Sequence, residues 1–312
     1  MAELFQASID WIDPYILQIL VNIGIAIILA LGLNLITGVT GQLSLGHAAF
    51  ISIGAFTGAI LTIKLNVPFS VDLLLAGLIA AIFGVIIGFP TLRLSGDYLA
   101  IATLGFAEII KVIFLNLDIT NRALGLSVPL PNTPVPLPIY VWLVAILAIT
   151  GMSFIQNSRF GRALQAIRED EIAAEAMGIH VTRYKIQSFA IGAFCAGVGG
   201  SFYAHFLAYI NPSDFDFMRS INVLCMVVLG GLGSIPGTIL GASILTVAPE
   251  FLRFMQQGRM LVYGGILVFM MIFCPNGLLG GVSFREIVDK SLGKLSGRRE
   301  HDVTTKIRKH HH

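Results

Sequence analysis

Long apolar runs separated by short polar connectors dominate the chain. Nine such runs are identified, at 15–36, 43–63, 71–92, 97–116, 139–155, 186–208, 219–235, 236–250 and 260–274. Most approach or reach the ~17 to 25 residues that a helix needs to cross a hydrocarbon core. Backbone polar groups in lipid must be satisfied within their own segment, and the period-2 alternation of barrel strands is absent. The pattern therefore predicts an all-α fold, a polytopic membrane helix bundle of about eight to ten spans, with nine as the expected count.

Glycine and polar residues interrupt the apolar pattern in two places, which predicts short or re-entrant segments near 38–54 and 230–241. The stretch 219–250 could form two spans, or one span and a re-entrant piece. Glycine-rich breaks in transporter helices expose backbone dipoles to a pathway, whereas the same glycines also permit close helix packing. Both interpretations stay open. The candidate pathway residues are Gly41, Gln42, Ser44, Gly46, His47, Gly231, Gly233 and Ser234.

The composition excludes a soluble fold. Hydrophobic residues make up 55% of the chain and charged residues 12%, with a mean hydropathy of +0.83, whereas soluble domains carry roughly 25% charged residues. We expect residues 1–280 to form one transmembrane domain and residues 281–312 a basic cytoplasmic tail. The three cysteines lie inside apolar runs without metal-ligand spacing and are interpreted as small core residues. The terminal His310–His312 are left out of the functional argument because they could be a tag remnant.

The distribution of basic residues predicts the orientation. With nine spans and an external N-terminus, most of the 20 Lys and Arg residues fall on the cytoplasmic side, as the positive-inside rule requires. The connector at 117–138 then lies outside, and its five prolines favour stiff, extended backbone. It could be a docking surface for an external partner or a spacer between spans.

The insert at 159–185 is the one long polar segment between two apolar runs. Its sequence favours a helix as far as Gly178, which is placed to end that helix in a left-handed conformation. The small residues Ala173, Ala174 and Ala176 leave a surface that a partner can approach closely. A cytoplasmic helix of this kind could dock into a groove of a partner, or it could simply be a connector between two spans.

Ionisable residues inside the spans are costly and deserve individual attention. Glu108 and Lys111 are three residues apart on one helix, so we expect an ion pair. Asp97 fits a first-turn acid that interacts with the positive end of the helix dipole. His47 and His205 are each interpreted as packed, hydrogen-bonding residues.

Several ordered motifs resemble one family of transport permeases. The stretch from Ile172 to Gly178 looks like the coupling loop of ABC importer permeases, with the acid Glu171 one residue out of register. Four further stretches resemble the LivM family, the permeases of branched-chain amino acid importers, and the resemblance covers roughly residues 15 to 280. They are GVTGQLSLGHAAF at 38–50, RLSGDYLAIATLGFAEII at 93–110, RALQAIRED at 162–170 and FCPNGLL at 273–279.

This resemblance implies a transport subunit and not an enzyme. It implies a bacterial-type inner membrane location, two ATP-binding subunits and an external substrate-binding protein. It also implies a second permease subunit, and a heterodimer with a LivH-like chain is favoured over a homodimer. No cofactor is expected on this chain. It has no Gly-x-x-x-x-Gly-Lys-[Ser/Thr] phosphate loop, so ATP and Mg are expected in the partner ATPases. The resemblance also implies ATPase coupling by Arg168, Glu169, Asp170, Glu171, Ala173, Ala174, Glu175 and Gly178.

Two other functions compete with a branched-chain amino acid importer. Urea-type permeases are close relatives of the same family, so urea and amides are alternative substrates, as are other small amino acids. An ion-coupled secondary transporter is a different class, and such carriers usually bury carboxylates deep in their spans. Glu108, Glu250 and Asp97 all lie near predicted span ends, which favours the importer. A membrane enzyme ranks lower because no cluster has metal-ligand or acid–base spacing.

Overall fold

The computed structural model describes residues 13–91, 96–129, 136–251, 264–265 and 277–278, and their regular structure is almost entirely helical. The α-helices are α1 Pro14–Leu33, α2 His47–Leu65, α3 Phe69–Thr91, α4 Asp97–Asn116, α5 Leu137–Asn157, α6 Arg159–Glu169, α7 Glu171–Ala176, α8 Val181–Leu207, α9 Phe217–Gly230 and α10 Ile235–Phe251. Two short strands, β1 Leu126–Ser127 and β2 Tyr209–Ile210, pair antiparallel with Leu126 opposite Ile210.

Six helices in the described ranges are long and apolar enough to cross a membrane. They are α1 with its continuation to Val39, α2, α3, α4, α5 and α8, and they coincide with the first six predicted spans. The all-α, polytopic prediction is confirmed. The proline-rich connector predicted to be extended starts with two short 3₁₀ turns, Asp118–Thr120 and Arg122–Leu124, and its residues 130–135 lie outside the described ranges.

The predicted count of nine spans is not supported. The stretch 219–250 is divided by its glycines into α9, of 14 residues, and α10, of 17 residues. At 1.5 Å per residue these helices are about 21 and 26 Å long, shorter than a hydrocarbon core of about 30 Å. The last predicted span, 260–274, lies almost entirely outside the described residues, as do Cys274 and the basic tail at 281–312.

Helix α8 lies at the centre of the bundle and runs antiparallel to both α1 and α3. Along α1, Gly192 lies beside Ile36 and Gly199 beside Leu29, while along α3, Ala193 lies beside Gly84. Small residues allow this close approach, because packing rather than the hydrophobic effect holds helices together in lipid. The bundle therefore has two ends: a connector end with loops 40–46 and 231–234 and helices α6 and α7, and a sheet end with β1 and β2.

The outer helices present apolar side chains to the surroundings. Only 28% of the α4 span and 17% of the α5 span is buried within the chain, and Leu143, Leu147 and Phe154 of α5 are exposed. Patches of this size on a soluble monomer would mark an interface. On a membrane protein they face lipid or a second subunit.

Candidate functional site

The first helix break lies where the sequence predicted a short or re-entrant segment. Helix α1 changes to π-helical winding over Asn34–Val39, and the chain then follows an irregular path until α2 begins at His47. The π-type hydrogen bonding continues to the end of this segment, where the Thr40 amide donates to the Leu35 carbonyl, five residues earlier, at 3.2 Å. Such π-segments are rare and frequently occur at functional sites.

The predicted pathway residues of this first break are mostly buried. Gln42 is 4% exposed, and neither its amide oxygen nor its amide nitrogen has a hydrogen-bond partner among the described residues. Ser44 Oγ is likewise buried without a partner. Gly46 packs against the Thr103 backbone of α4. His47 is fully buried with its Nε2 atom 3.1 Å from the Leu29 carbonyl, which confirms a packed, hydrogen-bonding histidine.

The second break lies between α9 and α10, again as predicted. Gly231 and Gly233 both adopt positive φ, +111° and +84°, a conformation in which a side chain would be strained. Ser234 is buried, and its Oγ accepts a hydrogen bond from the Gly237 amide at 3.2 Å. Its side chain thereby caps the start of α10.

The two breaks meet, although they are almost 200 residues apart in the chain. The Gly233 amide donates to Asn34 Oδ1 at 2.9 Å, and the Gly233 carbonyl accepts from Gln156 Nε2 of α5 at 2.6 Å. Arg168 Nη1 of α6 donates to the Gly38 carbonyl. A β-carbon on Gly38 would clash with the Gly233 amide nitrogen. We refer to Asn34, Gly38, Gln156, Arg168 and Gly233 as the Gly38–Gly233 junction.

The polar insert folds as a helix–turn–helix and not as the continuous helix that its propensities predicted. Helix α6 ends at Glu169, and Asp170, in extended conformation, accepts hydrogen bonds from the Ile172 and Ala173 amides at 2.9 and 3.0 Å. Asp170 is therefore the N-cap of α7. Its side chain binds the free amides of α7, which favours the start of a new helix over continuation of α6. Gly178 has φ +85° and follows the end of α7, as predicted.

The predicted coupling residues divide into an exposed group and a packed one. Ala174 is 4% exposed because it packs against Ile167 and Val181, so it is not available as a docking residue. The exposed group consists of Arg168, Glu169, Asp170, Glu171, Ala173, Glu175 and Gly178. Arg168, although exposed, reaches inward to the junction. Lys185 of α8 is buried and donates to Glu171 at 2.6 Å, which fixes the start of α7 against the bundle.

A polar cavity of about 200 Å³ lies beside the junction. Its lining includes Gly41, Gln42, Arg168, Glu171 and Lys185. Gly41, at φ +75°, lies so close to α6 that a β-carbon there would be 2.9 Å from Arg168 Cγ. The cavity therefore brings the predicted pathway residues and the predicted coupling residues to one place. In the described part of the chain, no group of three His, Cys, Asp or Glu side chains could hold a metal ion.

Sequence reasoning missed the amide side chains that connect the breaks. Asn34 and Gln156 carry no charge, and a search for ionisable residues in apolar runs passes over them. The available signal was an amide inside a span, since such groups hydrogen-bond across helices in lipid.

Sequence reasoning also missed Asp72, because it was placed at the edge of a span. It is fully buried in α3, where Ser201 Oγ donates to its Oδ2 at 2.8 Å and His205 Nε2 lies 3.9 Å from the same oxygen. Thr62 is 2.9 Å from His205 Nε2. These contacts confirm that His205 is packed and hydrogen-bonded, and they connect α2, α3 and α8 at the sheet end.

Two further predictions about ionisable residues have a clear outcome. Glu108 and Lys111 approach to 3.8 Å as the predicted i,i+3 ion pair on α4. Asp97 lies in the first turn of α4, as predicted. Cys195 and Cys225 are free thiols within the bundle, the first buried and the second half-buried.

Comparison with known proteins matches residues 15–274 to the family described as branched-chain amino acid transport system / permease component. The high-affinity branched-chain amino acid transport system permease protein LivM of Salmonella typhimurium is 40% identical over 287 residues, 82% of this chain and 68% of that protein. BraD of Pseudomonas aeruginosa is 28% identical over 81% of this chain and 91% of BraD. LivH of Salmonella typhimurium is 36% identical over 45% of this chain and 46% of LivH. No solved structure matches the chain.

Proposed function

This chain belongs to the family of branched-chain amino acid transport permease components, and from that membership we propose that it is one of two permeases in an ATP-driven importer. The solute pathway runs past the two helix breaks. Two partner ATPases bind ATP and Mg and supply the energy, and a LivH-like second permease completes the membrane part. An external binding protein delivers leucine, isoleucine or valine.

The observation that carries this proposal is the reach of Arg168 from the polar insert to the Gly38 carbonyl. The same guanidinium lies against Gly233, where a β-carbon would be 3.0 Å from its Nη1 atom. One side chain of the insert therefore contacts the backbone of both helix breaks. A rigid movement of α6 would displace the backbone of both breaks at once, as coupling to a separate ATPase subunit requires.

The insert also offers a docking surface for the ATPase. Ile172 and Met177 are 82% and 84% exposed, at either end of α7, within an otherwise polar segment. Exposed apolar side chains with a polar rim are typical of protein interaction sites. We place the ATPase on α7, where it contacts Ile172 and Met177, with Glu169, Glu171 and Glu175 around it. Ile172 stands where the family usually has an acid, so its contact with the ATPase is apolar.

This assignment requires the connector end to face the cytoplasm. The basic residues of the insert, together with Arg93 and the basic tail, support that orientation under the positive-inside rule. The N-terminus and the sheet end are then external, and the proline-rich connector lies where a binding protein would dock. The tail at 281–312 is cytoplasmic in this arrangement.

Reconstitution tests the proposal directly. The chain is assembled with a paired permease, the ATPases and the binding protein in liposomes, and leucine uptake is measured with and without enclosed ATP. We expect uptake only with ATP. Solute movement by this chain alone down an ion gradient would overturn the assignment in favour of a secondary transporter, and uptake of urea but not leucine would favour the urea-type branch.

Replacing Arg168 tests the coupling role. Arg168→Met should lower leucine uptake by about tenfold or more while ATP hydrolysis continues, because a hydrogen bond from a charged group contributes about 1.5 to 3 kcal/mol. The ATPase then moves a helix that no longer holds Gly38. Arg162→Met is the matched control, since Arg162 lies on the same helix but donates to the Asn157 carbonyl, away from the junction. Equal uptake by both variants would remove the coupling role from Arg168.

A further inference from the structure

A second cavity, of about 290 Å³, lies between α1, α9 and α10. Its α1 residues run from Asn22 to Leu29, which places it ~14 to 24 Å from Gly38 along the helix, toward the sheet end. Its volume is just below the roughly 300 to 1,000 Å³ typical of drug-sized ligand sites. It is therefore large enough for a small metabolite, and it is separate from the polar cavity at the junction.

Arg219, at the start of α9, is the one charged residue on the cavity wall among those described. Its guanidinium carbon lies 4.2 Å from the centre of the Tyr203 ring, a cation–π contact that fixes the head group. Asp216 is close in sequence, but its carboxylate caps α9 by accepting from the Arg219 amide at 3.1 Å. No acid in the described ranges forms an ion pair with the guanidinium.

Arg219 is half-buried, and its Nε atom is fully shielded and has no hydrogen-bond partner in the described part of the chain. Burying a cationic donor without an acceptor is unfavourable, and more so inside a membrane. A carboxylate satisfies a guanidinium best, because its two oxygens match the planar fork of N–H groups. The cavity is thus arranged for an anionic group that the chain itself does not provide.

The remaining wall identifies the rest of the ligand. Aliphatic side chains predominate, with Ile25, Leu29, Val223 and Leu245 among them. Asn22 and Asn222 add amide groups, whose carbonyl oxygens can accept hydrogen bonds from an ammonium group. A carboxylate, an ammonium group and an aliphatic side chain together describe a zwitterionic aliphatic amino acid.

We propose that this cavity is a substrate site on the import pathway, in which Arg219 binds the carboxylate of an aliphatic amino acid and the α1–α9–α10 wall receives its side chain. The inference rests on the proposed function and adds to it the residues that contact the substrate. It also separates substrate recognition, at the sheet end, from coupling, at the Gly38–Gly233 junction.

A cysteine-protection experiment on the assembled transporter tests the site. Thr246 lines the cavity and donates to the Ala242 carbonyl of its own helix, so Thr246→Cys leaves the other wall groups in place. Cys225 and Cys274 are replaced by Ser, and the rate of modification by methyl methanethiosulfonate is measured against the same background without Thr246→Cys. We expect L-leucine to slow the reaction, whereas L-leucinamide and isopentylamine, which lack the carboxylate, should not. Equal protection by leucinamide would overturn the proposal.

Substitution of Arg219 provides a second test of the site. Arg219→Gln should raise the leucine concentration for half-protection by about tenfold or more, as expected for a lost hydrogen bond to a charged group. Arg122→Gln is the matched control, because Arg122 is exposed and paired with Asp118 at the same end of the bundle. Unchanged protection in Arg219→Gln would also overturn the site.

This design distinguishes a failure of the substrate-site proposal from a failure of the importer proposal. ATP-dependent leucine uptake by the unmodified transporter, without protection of Thr246→Cys, would leave the importer standing and remove the cavity as its substrate site. If Arg219→Gln does not assemble, the comparison of leucine with leucinamide on the intact arginine still decides the question. Absence of uptake, by contrast, would count against the importer itself.

Discussion

Asn34→Leu is the sharpest test of the Gly38–Gly233 junction. Asn34 Oδ1 is the acceptor for the Gly233 amide at 2.9 Å, and Asn34 is only 2% exposed. Leucine keeps the number and branching of the side-chain heavy atoms but accepts no hydrogen bond, and its methyl groups are larger than the oxygen and nitrogen that they replace. The substitution therefore removes the hydrogen bond between the two breaks and crowds Gly233, and both changes favour separation of the breaks.

The structure sets the expected size of the effect. In the variant the Gly233 amide is left without a partner in a part-buried position, and an unsatisfied buried donor costs about 1 to 3 kcal/mol. An energy of this size shifts the equilibrium between joined and separated breaks by about 5- to 150-fold toward separation. The Gln156 bond to the Gly233 carbonyl and the Arg168 bond to Gly38 persist, so the bundle should still fold.

Amide hydrogen exchange of segment 231–234 in the purified transporter measures this opening directly. Exchange should accelerate by a factor in that range in Asn34→Leu and remain near the original rate in Asn34→Asp, which keeps an acceptor oxygen. Asn157→Leu is a matched control, because Asn157 donates to the Ser153 carbonyl of its own helix at the same end of the bundle. Unchanged exchange in Asn34→Leu would refute the reasoning that this bond holds the breaks together.

Two further predictions concern packing and docking. Gly54→Ala should lower the free energy of unfolding by about 1 to 3 kcal/mol, because the added β-carbon would clash with the Gly197 backbone. The loss is measured as a lower melting temperature in detergent. Gly105→Ala is the control and should not destabilise the protein, because no atom lies within 4 Å of a β-carbon there. Ile172→Asp should release the ATPases from the membrane complex during purification while leaving the chain membrane-inserted, because it removes the exposed apolar contact of α7; retention of the ATPases would place their docking surface elsewhere.

The positions of the spans and breaks could be predicted from sequence because both depend on local properties. A run of apolar residues of sufficient length forms a helix in lipid whatever its neighbours are, and glycine interrupts it wherever the backbone needs unusual angles. The meeting of Gly38 with Gly233 could not be predicted in this way. Apolar runs are chemically alike, so they contain almost no information about which helix packs against which.

Local competition explains the errors within single elements. Residues 159–177 have good helix propensity, and summed over the segment this favours one helix. Asp170 overrides the sum because its side chain bonds two free amides of α7, and the break turns α7 against Val181 and Ile167. The separate counting of 219–235 and 236–250 as spans has a similar origin, since hydropathy measures apolar length, whereas the described helices α9 and α10 have 14 and 17 residues.

The chemistry of the proposed coupling contact suits a reversible switch. Arg168 binds a backbone carbonyl, a neutral acceptor, and hydrogen bonds to charged groups contribute about 1.5 to 3 kcal/mol. Coupling free energies between distant sites are typically about 1 to 3 kcal/mol, so this single bond is of the right size. A buried ion pair in its place would be costly to break. Gly38 and Gly233 are suited to this hydrogen bond with Arg168, since a glycine backbone has no side chain and can change its dihedral angles at little steric cost. The Gly38 backbone is thus held by a hydrogen bond that a movement of α6 can exchange.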